Sequence, residues 1–300
     1  MYINRRFFFI LMFVISIFLA NLTFADTASP GSSTLTPKSK QDRALLTTEL
    51  RSGNSAQVDQ AIAVIKEWIS ENQVPVEFYH DWVPALINNQ YYQEAADLSL
   101  AGALARPQIN FVTALMALRA RALLALGDSN QALQAAKGYY NVCYMKNSTN
   151  AIQLVAQCLA QADLDDDTIA QRFINEQNIA ASAATDGSTT QPATPMLKTV
   201  QIDPTLYADA LKKWKARTVL TGDFNDFASY ANVLLVADQA DQAEKIFESL
   251  YKQATTQDDL NTAIEGIARS MRAEDGNVGR ANAWLLSLQK ASATPAAAPQ

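Results

Sequence analysis

The segment Phe227–Leu250 reads FASYANVLLVADQADQAEKIFESL, and its periodicity decides the fold. Phe227, Tyr230, Ala231 and Leu234 recur at helical spacing and share one face. The run Val236-Ala237-Asp238-Gln239-Ala240 interrupts that helix, and Asp238 is placed to cap the next one through its side-chain oxygen. Ala243, Ile246, Phe247 and Leu250 then form a second apolar stripe. Neither short helix can bury its stripe alone. An antiparallel pair can, and stacked pairs bury more.

The same arrangement returns along the chain. Tyr79, Trp82, Val83 and Leu86 precede Asn88-Asn89-Gln90, Ala95, Leu98, Gly102 and Pro107. Met116, Arg119, Ala120 and Leu123 precede Gly127-Asp128, Ala132, Ala136 and Tyr139. Gly127 suits a left-handed helix end and Asp128 the following cap. The equivalent alanines Ala61, Ala95, Ala132 and Ala170 are spaced by 34, 37 and 38 residues, Ala210 lies 33 before Ala243, and Ala281 lies 38 after it. In Phe227-x2-Tyr230-Ala231-x2-Leu234 followed by Ala243-x3-Phe247, the chain resembles the tetratricopeptide repeat family, whose period is about 34 residues. That resemblance implies an all-α solenoid of about six antiparallel helical hairpins acting as a protein-binding scaffold. It carries over no ligand-binding residues, because the repeat signature is packing chemistry.

Composition agrees with helix. The 300 residues include only 10 Gly and 10 Pro, with no sustained period-2 alternation. Formal charge is −6. An acidic chain is a poor match for general nucleic-acid binding, so no nucleic-acid partner is expected. At the N-terminus, Arg5-Arg6, the apolar run Phe7–Ala20 and the small-x-small step before Asp26 match a secretory signal peptide cleaved after Ala25. Cleavage would predict export to a bacterial periplasm or beyond, without stable membrane insertion. An uncleaved segment would instead anchor a display stalk.

The organisation expected is therefore a signal peptide over 1–25, a flexible leader over 26–41 and repeats over 42–179. A low-complexity linker over 180–202, repeats over 203–291 and a tail over 292–300 follow. Pro84 inside a helical pattern predicts a kink or a start after Asp81. Asp203-Pro204 marks a helix start, and Thr256 with Asp259 a capping-box-like one.

Candidate chemistry is sparse. His80 is the only histidine, so a His-based triad or zinc site has no partners. Cys143 and Cys158 fall too far apart along facing helices for a comfortable disulfide, which favours two buried thiols over a bridge. Asp163, Asp165, Asp166 and Asp167 lack the central Gly of an EF-hand loop and read as helix-start carboxylates. Lys212, Lys213, Lys215 and Arg217 surround Trp214 as a solvated face around one buried ring, with an anionic partner as the alternative. No cofactor or metal is expected. Asn88, Tyr91, Ser229 and Asn232 are the candidate partner-binding residues, placed on solvent-facing positions of a concave surface. The leading expectation is a non-enzymatic scaffold or adaptor of the cell envelope that holds a protein or peptide. The competing one is a helical-toroid glycan-cleaving enzyme, for which Asp81 beside Trp82 is the only candidate.

Overall fold

The computed structural model describes residues 37–70, 77–162, 167–186 and 195–293. The expected signal peptide, most of the leader, Asp163–Asp166, part of the linker and the last residues of the tail lie outside these. Two compact units are present, Met1–Asp42 and Arg43–Gln300. The described part of the first, Pro37–Asp42, is the helical start of α1. The expected leader is thus already helical over its last five residues.

The described residues are all-α, with thirteen α-helices and no strand among them. They are α1 (Pro37–Arg51), α2 (Ser55–Ser70), α3 (Glu77–Asn88), α4 (Tyr92–Ala105), α5 (Ile109–Leu126), α6 (Ser129–Val142) and α7 (Ser148–Ala162). After these come α8 (Asp167–Asp186), α9 (Ala208–Thr221), α10 (Phe224–Val236), α11 (Ala240–Gln253), α12 (Gln257–Asp275) and α13 (Gly279–Ala293). Short 3₁₀ turns occupy Met145–Asn147, Met196–Thr199 and Pro204–Tyr207.

Local chemistry explains most helix ends. Gly127 closes α5 at φ 87°, a left-handed conformation that costs glycine little, and the Asp128 side chain accepts from Gln131 N at 3.0 Å to open α6. Asp203 caps Pro204–Tyr207, Asp223 caps α10 and Thr256 caps α12. At other ends the sequence reading is corrected. Asp238 is not a cap: Gln239 occupies that place, and Asp238 sits at φ 62° with its carboxylate turned to α6. Pro84 lies inside a continuous α3 that is already helical at Glu77, not after Asp81. The residues expected to begin a linker at 180 are helical to Asp186, and Ala180 is fully buried.

Neighbouring helices pack in sequence order from α3 to α8 and again from α9 to α13. Small residues set the approach. A Cβ on Gly102 of α4 would lie 2.6 Å from the Tyr79 ring, and one on Gly266 of α12 would lie 2.2 Å from Phe247. Helix α5 is long and apolar enough to cross a membrane by length and composition, yet it is packed against α3, α4, α6, α7 and α10. The chain then folds back on itself. Helices α10 and α12 pack on α6, and α13 packs on α8.

Candidate functional site

The structure separates the four candidate residues into two places. Asn88 is exposed and Tyr91 half-buried at the turn between α3 and α4. Ser229 and Asn232 are buried in α10, at 4% and 3% exposure. They were expected to face solvent, so the register assigned to the first helix of that hairpin is corrected. Asn232 spans the interior, donating to Pro107 O at 2.8 Å and accepting from Arg269 Nη1 at 3.0 Å.

The α3–α4 turn faces a surface cleft of about 310 Å³, lined by Gly53, Ser55, Val58, Asn89, Gln90 and Tyr91. The α1–α2 and α3–α4 turns build it. Gln90 closes the second at φ 67°. Asn89 is committed to structure: its amide donates to the carbonyls of Leu50 and Ala85, tying the ends of α1 and α3 together. Tyr91 keeps its ring at the rim. Partial burial, then a hydrogen bond with the Asp59 carboxylate, push its hydroxyl pKa up. A small polar cleft with a tyrosine hydroxyl and amide groups suits hydrogen-bonding contact with a peptide, and it holds no nucleophile–base pair.

The second place is the junction of α6 with α10 and α12, where buried polar groups concentrate. The Arg269 and Arg272 side chains of α12 are 2% and 0% exposed. Arg272 Nη2 donates to Asn141 O at 3.3 Å and Cys143 O at 2.6 Å; Arg269 Nη1 donates to Val142 O at 3.2 Å. Those carbonyls end α6, where helix oxygens lack internal partners and the macrodipole is negative. Two cations from a distant helix therefore cap α6. Burial, then the Glu265 carboxylate against it and Arg272 with it, bring the Arg269 pKa down to about 10. Arg272 Nε and Nη1 have no hydrogen-bond partner; the Tyr140 ring lies 4.9 Å from the cation. Lys137 adds a bond to Val200 O at 2.7 Å and an ion pair to Asp238 at 2.6 Å. This junction is interior and structural, and no sequence motif announced it.

The other candidates are also accounted for. His80 is half-buried with its ring 4.9 Å from that of Phe111; burial lowers its pKa and Asp81 partly restores it. Trp82 is fully buried and donates to Thr47 Oγ1, while Asp81 is paired with Arg43. That pair presents neither an aromatic platform nor a free carboxylate. Cys143 and Cys158 are free, fully buried thiols, and burial pushes both pKa values up, Cys158 to about 12. Such thiols are poor nucleophiles. Trp214 is buried and its indole donates to Leu104 O at 2.9 Å, with Lys212, Lys213 and Lys215 exposed around it. Among the described residues no cluster of three His, Cys, Asp or Glu side chains is placed to hold a metal ion.

Comparison with protein families, with curated proteins and with solved structures gives no significant match.

Proposed function

We propose that this chain is an exported, non-enzymatic scaffold of the bacterial cell envelope, built as a tetratricopeptide-like solenoid. In this reading six hairpins are α1–α2, α3–α4, α5–α6, α7–α8, α10–α11 and α12–α13, with α9 a lone helix. The observation that carries it is where the repeat-like residues lie. Tyr79, Trp82, Val83 and Leu86 of α3, Ala231 and Leu234 of α10, and Ala243 and Phe247 of α11 are all at most 3% exposed, while Phe227 and Tyr230 of α10 are half-buried. The buried charged groups Arg119, Lys137, Arg269 and Arg272 bond backbone carbonyls, which suits a module whose work is done by its surface.

The inner face of the second set of hairpins is covered by α6, so partner binding falls to the first hairpins. The cleft beside Asn88 and Tyr91 is the proposed contact point. Export rests on the Arg5-Arg6 and Phe7–Ala20 pattern. Crosslinking and capture of the exported protein from envelope extract tests both parts. A discrete protein partner, lost on Tyr91→Ala together with Asn88→Asp, supports the reading. Glycan turnover by the purified protein would replace it with the enzyme, and an exported chain that still begins at Met1 would remove the cleavage.

A further inference from the structure

Helix α9 is attached on one side only. Trp214 and Thr218 are its buried residues. The Trp214 indole donates to Leu104 O, and Arg217 lies 5.2 Å from the Trp214 ring while its Nε pairs with Asp226 at 2.8 Å. The opposite side carries Lys212, Lys215, Ala216, Val219 and Leu220, all exposed and related by steps of three, four, seven and eight residues, with Lys213 at the flank. Val219 and Leu220 are 80% and 85% exposed, the highest values among the exposed large apolar side chains of the described residues. The face is basic although the chain is net −6: Arg217 is paired on the attached side, leaving Lys212, Lys213 and Lys215 exposed against one acidic residue on the same face, Asp209, three residues before Lys212.

We propose that this face of α9 is a reversible contact for an anionic phospholipid surface. The lysine ammonium groups meet lipid phosphates, and Val219 and Leu220 enter the headgroup–acyl boundary beside them. Lysine stems lie along the apolar surface while their charges stay in the headgroup layer. A folded protein partner fits less well. A 14-residue helix is about 21 Å long and about 10 Å wide, so one face offers a few hundred Å² at most, well below the ~800 Å² per partner of a standard protein interface. A bilayer needs no complementary groove, because it deforms around two protruding aliphatic side chains. The surface lies apart from the proposed peptide cleft, so it stands or falls independently of the scaffold reading.

The test uses the full chain carrying Leu220→Cys labelled with an environment-sensitive fluorophore; the native Cys143 and Cys158 are fully buried and stay unlabelled. Vesicles of phosphatidylcholine with about a third phosphatidylglycerol shift the emission to the blue, and those of phosphatidylcholine alone do not. Raising salt to about 1 M, where the Debye length is ~3 Å, reverses the shift. Adding Lys212→Gln, Lys213→Gln and Lys215→Gln weakens partitioning about fivefold per lysine, roughly a hundredfold together. A label at Gln242→Cys, exposed on α11, reports no shift. Absence of a shift at position 220 overturns the proposal, leaving a soluble acidic partner for this face. An equal shift with neutral vesicles, or at position 242, overturns it as well, since either would mean adsorption through Phe7–Ala20 or the whole surface.

Discussion

Helices α3 to α6 hold together differently from the junction of α6 with α10 and α12. In the first region, apart from the α6 face that meets α10 and α12, the buried side chains are mostly apolar, led by Phe78, Trp82, Leu86, Leu115 and Met116, and the one buried guanidinium, Arg119, reaches only the neighbouring helix at Ala96 O. In the second, Lys137, Asn141, Asn232, Arg269 and Arg272 are buried, and their partners lie 37 to 131 residues away in sequence. Apolar packing between neighbours rewards any arrangement that fills space. A guanidinium out of water is tolerated only where carbonyls receive it, so the polar junction penalises every other register. The first region supplies bulk stability and the second fixes which surfaces meet.

The largest expected break in this contrast is at Gly266, because α12 belongs to both kinds of contact. Its face toward α11 is a close apolar approach, and its Arg269 and Arg272 reach α6. Gly266→Val drives side-chain atoms into the Phe247 ring and should cost about 3 kcal/mol or more, read as a fall in the denaturant midpoint. A midpoint within error of the parent would mean that α11 and α12 are not packed as described.

Replacing Arg269 and Arg272 together by Met comes next. The side chains stay long, but the carbonyls of Asn141 and Cys143 lose their guanidinium donor and Val142 O keeps only Thr113 Oγ1 at 3.5 Å, for an expected loss of about 2–3 kcal/mol. Unfolding should also separate into two transitions, with residues 43–186 and 195–293 losing helix independently. One sharp transition with an unchanged midpoint would show that apolar contacts alone fix the docking.

The smallest effect is a matter of pH. Arg280 pairs with Glu244 at 2.9 Å and Glu274 at 2.6 Å, with Asp275 at 3.7 Å. Burial raises the Glu244 and Asp275 pKa values and Arg280 opposes that rise. In Arg280→Gln both carboxyls rise further. A raised carboxyl destabilises the fold where it is ionised and not where it is protonated. The variant's deficit, roughly 0.5 kcal/mol for this partly exposed cluster, is therefore full at neutral pH, fades as pH falls through the raised carboxyl pKa values and is gone below the ordinary carboxylate range of about 4. Denaturant titrations at the two pH values check it, and a deficit that grows on acidification would reverse the assignment.

Local signals carried the elements, and distant ones escaped. Gly127-Asp128, Asp203-Pro204 and Thr256 gave helix ends because a cap is chemistry within a few residues. Ser229 and Asn232 were misplaced because their cover comes from α6 and from Arg269, which no repeat pattern near them encodes. One signal was available. From Ala228 to Val236 helix α10 is buried almost all round, and a short helix with so few charges is an interior helix rather than a half-exposed one. Asp238 resembles a cap in sequence, yet Lys137 and Asn141, about a hundred residues away, hold its carboxylate. Of the cleft, the turn at Asn88-Asn89-Gln90 was readable as a break in helical period, whereas its other wall, Gly53, Ser55 and Val58, comes from a turn that only packing brings beside it.

The capping of α6 has a consequence for the order of events during synthesis. Arg272 is 131 residues beyond Asn141. At about 5–20 residues per second, Asn141 waits about ten seconds for its partner to be made. Over that interval Asn141 O and Cys143 O lack the Arg272 guanidinium, and the surface later covered by α10 and α12 lies open. The first helices can pair as they emerge, but the final one-to-one fit of the two halves is a late event. Long-range closure of this kind is expected to be slower than the pairing of neighbouring helices, whose contacts are local in sequence.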